Sequence, residues 1–207
     1  MKFKGKELTR TICKNSLIRV WEQCTEDDKF DWYKLAHEWA VEEAKTLVKS
    51  GILDRDKTAI PKICGIIASL SPLKTWKQNL KLASQMARTN KSVGHTRLCN
   101  NKGLEVLKSD GSDESILEIL NGNKISSFYL NIMYPNRINS ITIDRHALSC
   151  LLGYWVTDDD YRGITKNQYE FFVQCFQWTA EKLNISSLLL QSATWVRWRK
   201  IKNNYKK

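Results

Sequence analysis

The spacing of apolar residues constrains this chain most, because they recur every three or four positions along most of its length. Strand-like alternation is rare, and the 207 residues include only three prolines and nine glycines. The pattern predicts an all-α fold of about ten short helices, packed as two lobes of a single domain spanning residues 1–207. The helices are expected at roughly 7–23, 30–49, 57–70, 73–89, 96–108, 113–120, 124–134, 144–154, 166–184 and 187–203.

Side chains that can cap helices mark several of these starts. Asp31, Asp113 and Thr165 each precede a periodic apolar segment, and their side-chain oxygens could accept the first free backbone N–H groups. One short segment, SITI at 140–143, has an extended pattern and lies just before Asp144. We therefore expect Asp144 to stand at the entry of a helix.

The formal net charge of +11 is unevenly distributed. The basic C-terminal segment 187–207, which contains the last predicted helix, ends in WVRWRKIKNNYKK from Trp195 onward, with six basic residues and no acidic one. Such a surplus attracts polyanions, so nucleic acid is the expected partner. The alternative is a solvated basic segment that only aids solubility.

Targeting and cofactor signals are not found in the sequence. No run of about 18 apolar residues indicates a membrane span, and the charged start is unlike a signal peptide, so we expect a cytoplasmic monomer. The six cysteines are scattered without a C-x-x-C pair, which predicts free thiols and no metal or other cofactor. His37 and Glu38 begin a zinc-protease pattern, but Val41 stands where the second histidine would be.

The segment 113–153 carries the residues with the clearest chemical potential. A predicted helix ends at Asn121-Gly122-Asn123, and Lys124 opens the next helix. The N–H groups of that new helix could hold a phosphate, and Gly122 could supply the backbone freedom for the turn. Asp144 follows twenty residues later. Lys124 could instead be an ordinary exposed helix lysine, and Asp144 an ordinary cap.

These residues resemble the helix-hairpin-helix DNA glycosylases, especially their archaeal and eukaryotic 8-oxoguanine branch. Gly122-Asn123-Lys124 is similar to the family's G-x-K, with a hairpin at about 113–134, and Ile143-Asp144-Arg145-His146 to its second element. Residues 59–86 are similar to an early helix pair, so the resemblance covers roughly residues 57–155. The ending LLLQSATWVRWR is also similar to that of phage-encoded proteins, in which case the host cytoplasm is the expected compartment.

The resemblance implies a role for each matched residue. Lys124 would attack the sugar carbon and form a Schiff base, and Asp144 would stabilise the cationic charge that develops there. Gln191 and Trp195, four residues apart on the last helix, would read and stack on a flipped base, with His146 nearby. The expected contacts with double-stranded DNA come from Gly122, Asn123, Arg145, Arg197, Arg199, Lys200 and Lys202.

Two departures from the family pattern keep the substrate open. Leu120 stands where the hairpin usually has a second glycine, and Leu70-Ser71-Pro72 replaces a loop that carries glutamine in endonuclease III relatives. A glycosylase with lyase activity is the first hypothesis. The alternatives are a base-modifying enzyme that does not excise the base, or a DNA-binding module without catalysis. The sequence does not name the base.

Overall fold

The computed structural model describes residues 1–54, 57–136 and 140–204, without the side chains of 202–204. Its fold is all-α, as predicted. A two-stranded antiparallel hairpin, β1 (Lys2–Phe3) and β2 (Lys6–Glu7), precedes the helices, and a short 3₁₀ helix covers Glu26–Asp28. The α-helices of the described chain are α1 (Arg10–Trp21), α2 (Trp32–Lys49), α3 (Ala59–Ser69), α4 (Trp76–Thr89), α5 (Arg97–Lys108), α6 (Asp113–Leu120), α7 (Asn123–Met133), α8 (Arg145–Leu152), α9 (Asp158–Arg162), α10 (Lys166–Leu183) and α11 (Ser187–Asn204).

The helices divide between two compact units. The first unit combines Met1–Tyr33 with Asn136–Lys207, and the second unit is the continuous segment Lys34–Pro135. The first unit therefore contains the β-hairpin, α1 and α8 to α11. The second contains α3 to α7 and most of α2.

The first unit is built around α1, which packs against α8, α10 and α11. Apolar side chains from these helices, such as Leu17, Leu148 and Phe172, are completely buried. Within this core, the Ser16 hydroxyl donates to the Cys150 carbonyl over 2.8 Å. Paired polar groups avoid the cost of a buried unsatisfied donor, so the packing is specific as well as apolar.

The second unit is built around α3, which contacts α4, α5, α6 and α7. Its isoleucines Ile63, Ile66 and Ile67 are completely buried, as expected for a helix covered on most of its faces. Two glycines allow this close packing. A Cβ on Gly65 would lie 2.7 Å from Val106 Cγ1, and one on Gly103 would lie 2.6 Å from Met86 Sδ.

Several helix bounds differ from the sequence prediction. The first helix begins at Arg10, not near residue 7, because the Thr9 hydroxyl caps it and the preceding residues pair as β1 and β2. The short helix α9 was not predicted. At α6 the cap is Ser112, whose hydroxyl accepts from Ser115 N–H, and not Asp113. Thr165 was correctly predicted as a cap, since it accepts from Gln168 N–H at the start of α10.

The cysteines are free and buried, as predicted from their scattered positions. Along the described ranges, no helix has both the length and the apolar character to span a membrane.

Candidate functional site

The carboxylate of Asp144 is half-buried at the start of α8, in the first unit. Its Oδ1 accepts the backbone N–H of Ala147 over 2.7 Å, which caps the helix. Its Oδ2 accepts the indole Nε1–H of Trp195 over 2.9 Å, although the two residues are 51 positions apart. Both oxygens are therefore oriented by a donor, and the second donor is unrelated to capping.

Trp195 joins this carboxylate to two other residues that the sequence predicted for the site. The His146 ring lies edge-on to the indole, with centroids 6.3 Å apart. The guanidinium carbon of Arg199 lies 4.6 Å from the Trp195 ring centroid, one turn further along α11, in a cation–π contact. Asp144, His146, Trp195 and Arg199 thus form one cluster of half-buried side chains.

Gln191 is also in this unit, one turn before Trp195, but it is only 3% exposed. Its Oε1 accepts the hydroxyl of Tyr33 over 2.9 Å. Burial raises the pKa of Tyr33, the negative charge of Asp144 raises it further, and a hydrogen bond with Thr142 acts in the opposite direction. Tyr33 therefore stays protonated and orients the Gln191 amide, whose oxygen is already engaged.

The extended segment before Asp144 is fixed by tyrosine hydroxyls. Tyr169 Oη accepts Ile143 N–H over 3.0 Å and donates to the Ile141 carbonyl over 3.1 Å. Tyr161 Oη donates to the Ile143 carbonyl over 2.6 Å. The segment SITI does not pair as a strand with any described residue; side chains satisfy its backbone and so set the position at which α8 begins.

The predicted hairpin is present in the second unit as α6, a two-residue turn and α7. The left-handed residue of the turn is Asn121, with φ 39°, whereas Gly122 has an extended φ of 173°. A Cβ on Gly122 would meet its nearest atom, Ile125 Cγ1, at an ordinary 3.6 Å. The prediction that Gly122 supplies the special backbone conformation was therefore wrong, because Asn121 ends α6 in that conformation.

The start of α7 has an open, positive character. Gly122 is its N-cap and offers no side-chain acceptor, and no acidic residue lies in the first turn. Lys124, the second residue of the helix, is half-buried, and its amine has no hydrogen bond or ion pair with the part of the chain that the structure describes. The unpaired amine and the uncapped helix end both attract anions.

The half-buried carboxylate of Asp113 holds the two helices of the hairpin together. Asp113, at the start of α6, accepts the hydroxyls of Tyr129 over 2.5 Å and Tyr134 over 2.6 Å. Both tyrosines belong to α7 or its end, so this contact ties α6 to α7. Burial raises the pKa of Tyr129, and the hydrogen bond with Asp113 raises it further.

The other residues predicted to contact DNA differ in whether they form ion pairs within the protein. Arg145 pairs with the exposed Asp158 over 2.9 Å. Lys200 lies 2.5 Å and Arg197 4.0 Å from the completely buried carboxylate of Asp28. Asn123 is the exposed first residue of α7, and the side chain of Lys202 lies outside the described residues.

Asp28 anchors the last helix to the 3₁₀ helix of the same unit. Burial alone would raise the pKa of Asp28, but hydrogen bonds from Lys200 and Thr25 together hold it below its usual value of 3.8. The carboxylate is therefore charged at neutral pH. Arg197 and Lys200 neutralise it, which the sequence could not reveal because 172 residues separate Asp28 from Lys200.

The structure thus brings together part of the predicted site and adds residues to it. Asp144, His146, Gln191, Trp195 and Arg199 belong to the first unit, while Lys124 with Gly122 and Asn123 belongs to the second. Their meeting in one groove stays a prediction. Sequence reasoning missed the tyrosines, Tyr33, Tyr161 and Tyr169. No pattern in the sequence marks them, since Tyr33 lies more than 120 residues before Tyr161 and Tyr169.

Comparison with known proteins identifies the family but assigns no activity. Within the described residues, no group of three or more histidine, cysteine or acidic side chains could hold a metal ion. No curated protein matches the chain. No solved structure matches it either. One family model, described as "Family of unknown function (DUF7178)", matches residues 1–202, and the chain therefore belongs to that family.

Proposed function

We propose that this protein is a DNA glycosylase with lyase activity, which acts on a nucleotide flipped out of the duplex. The observation that carries the proposal is the hydrogen bond between Asp144 and Trp195. The resemblance selected these two residues separately, from segments 51 positions apart, and they are direct partners. An ordinary helix cap does not require the second bond.

The geometry of Asp144 suits an electrostatic role. Its oxygens already accept from Ala147 and Trp195, so the carboxylate is held in place before any substrate arrives. A fixed negative charge stabilises positive charge that develops on the deoxyribose as the base departs, without reorganising during the reaction. This role requires no proton transfer to Asp144.

The start of α7 suits the other half of the reaction. The uncapped N–H groups can bind a backbone phosphate, and the unpaired amine of Lys124 lies beside them. The neutral amine would attack C1′ of the sugar while the bond to the base breaks, and the base would leave with the bonding electron pair. Opening of the sugar ring then gives a Schiff base, the intermediate of strand cleavage.

The net charge and the open contacts support DNA as the partner. Arg199 and Lys124 have no acidic partner in the described part of the chain. Arg197 and Lys200, in contrast, pair with the buried Asp28. Phosphate contacts are therefore expected mainly from the α7 start and from Arg199. Replacing Arg199 by alanine should weaken binding to all duplexes alike and flatten its salt dependence.

Borohydride trapping tests the proposal directly. The full chain is incubated with duplex oligonucleotides that carry oxidised, alkylated, deaminated or hydroxymethylated bases, and sodium borohydride reduces any Schiff base to a stable amine. At least one duplex should give a covalent complex with the wild type, and Lys124→Gln should give none. Lys77→Gln, which alters an exposed lysine of α4, is the matched control and should be trapped like the wild type.

The outcomes separate the functional classes. Trapping lost only in Lys124→Gln supports the lyase. Release of a free base without trapping would retain the glycosylase and remove Lys124 from the chemistry. Binding of duplex DNA with neither release nor trapping on any base would contradict the proposal and favour the non-excising alternatives.

A further inference from the structure

The second unit contains a basic cleft that the proposed function does not use. It has a volume of about 380 Å³ and lies where the end of α4, the end of α5 and the start of α3 meet. Clefts of roughly this size or larger commonly hold small ligands. Lys62, Arg88 and Lys108 line it, and Asp54 is the only acidic residue of its described lining.

The positive charges of the cleft are only partly neutralised. Arg88 pairs with Glu43 over 2.9 Å, but neither Lys62 nor Lys108 forms an ion pair within the described ranges. Lys62 acts through space on the exposed Asp110, whose carboxylate already accepts from Ser112. Lys62 and Lys108 thus both line this cleft and form no ion pair with a described residue.

The start of α3 adds to this positive potential. No acidic residue lies in its first turn, and Thr58, its N-cap, makes no side-chain capping hydrogen bond. A lysine near a helix N-terminus is unfavourable for the helix dipole unless an anion is bound there. Lys62 stands in this position, so an anion in the cleft would satisfy the helix end and the lysine together.

Part of the remaining lining is apolar and fits the body of a small molecule. Ile52, Leu53 and Leu107 line the cleft beside the cations. We propose that this cleft binds a small phosphate-bearing ligand of nucleotide size, with its phosphate at Lys62 and Lys108 and its ring against these three side chains. The site is independent of Lys124 and Asp144 and does not rest on the proposed function.

Calorimetric titration of the full chain tests the site, with adenosine 5′-monophosphate, adenosine, inorganic phosphate and malonate as probes. The monophosphate should bind, inorganic phosphate should bind more weakly, and adenosine and malonate should not bind measurably. In Lys62→Gln/Lys108→Gln, the monophosphate should bind about tenfold more weakly or worse, because two charge-assisted contacts are lost. Lys77→Gln/Lys81→Gln removes equal charge from exposed positions of α4 outside the cleft and should bind as the wild type does.

Nuclear magnetic resonance locates the ligand without depending on a variant. On titration with the monophosphate, the backbone amides of Ala59 and Leu107 should shift. The proposal is overturned by equal loss in both double variants, by malonate binding as well as the monophosphate, by shifts confined to residues outside the cleft, or by no monophosphate binding to the wild type. Thermal melting confirms that each double variant is folded.

Discussion

Helices α7 and α8 begin in opposite ways. The start of α8 is closed by its own sequence, because the Asp144 carboxylate takes up Ala147 N–H and is itself held by Trp195. The start of α7 is open, because Gly122 offers no acceptor and Lys124 adds a positive charge. In the proposed function, the start of α8 supplies a fixed anion and the start of α7 receives one.

The proposed function requires two kinds of group, one at each helix start. A group that acts through a fixed charge benefits from being held in advance, as Asp144 is. A group that must form and break a bond, or a helix end that must accept a phosphate, has to remain available until the substrate arrives. The contacts of the two helix starts agree with this division, and the following substitutions test it.

The largest effect is expected from Asp144→Asn. The amide oxygen can still cap α8, but the amide nitrogen then faces Trp195 Nε1–H, and the negative charge is lost. On the duplex that borohydride traps with the wild type, the single-turnover rate should fall about a hundredfold or more, with DNA binding nearly unchanged. Asp160→Asn is the matched control, since that carboxylate also lies at a helix start, where it accepts from the Thr157 hydroxyl, and its rate should stay near wild type. Equal rates for Asp144→Asn and wild type would make Asp144 a cap only.

Asp28→Asn tests how α11 is held so that Trp195 reaches Asp144. Removing the buried charge leaves Arg197 and Lys200 without their partner, so the free energy of unfolding should fall by about 2 kcal/mol in urea titrations at pH 7. Because the folded pKa of Asp28 is below 3.8, its stabilisation is present above that value and is lost as the pH falls through the folded pKa. The difference in free energy of unfolding between the variant and the wild type should therefore narrow as the pH is lowered below 3.8. A stability difference that does not change with pH would contradict the view that the charge of Asp28 holds α11 in place.

Gly122→Asp would close the open start of α7. The extended backbone accepts a side chain, and an aspartate there could cap the helix and raise the free energy of unfolding by about 0.5–1 kcal/mol. The same carboxylate would repel phosphate, so duplex binding, measured by fluorescence anisotropy, should weaken about tenfold. Gly122→Ala adds the Cβ without the charge and should change neither quantity much. Undiminished binding by Gly122→Asp would show that DNA does not use this helix end.

A smaller effect on the reaction is expected from Trp195→Phe, which keeps a ring but removes the donor to Asp144. Loss of one hydrogen bond to a charged group should cost about 1–2 kcal/mol in urea unfolding and reduce turnover less than Asp144→Asn does. Trp178→Phe, on α10 of the same unit, is the matched control. A turnover loss as large as that of Asp144→Asn would mean that the indole itself contacts the substrate.

Much of the fold was predictable because helical periodicity and capping are local properties. Thr165 begins α10 as predicted, and the hairpin helices were placed within a residue of their observed bounds. The first helix was predicted to begin near residue 7, but Glu7 pairs with Lys2 in the β-hairpin and Thr9 caps the helix at Arg10. Local pattern carries no information about such pairing.

The site was less predictable because its contacts are long-range. The bond from Trp195 to Asp144 and the hydroxyl of Tyr33 on Gln191 join segments 51 and 158 positions apart. The role given to Gly122 failed for a different reason, since both Asn121 and Gly122 suit the turn and the sequence does not say which adopts the left-handed conformation. Nothing in the sequence of the last helix indicates that Arg197 and Lys200 neutralise Asp28.

The discontinuous first unit has a consequence for how the protein is made. The second unit, Lys34–Pro135, is continuous, so all of its helices have been synthesised before residue 136 is added. The first unit cannot complete its core until α11 has left the ribosome, because α1 packs on α8, α10 and α11, which are synthesised much later. The order of synthesis therefore lets the hairpin that carries Lys124 fold early, while α1 waits with its apolar face exposed. We therefore expect the segment before Lys34 to be the last part of the chain to find its packing partners.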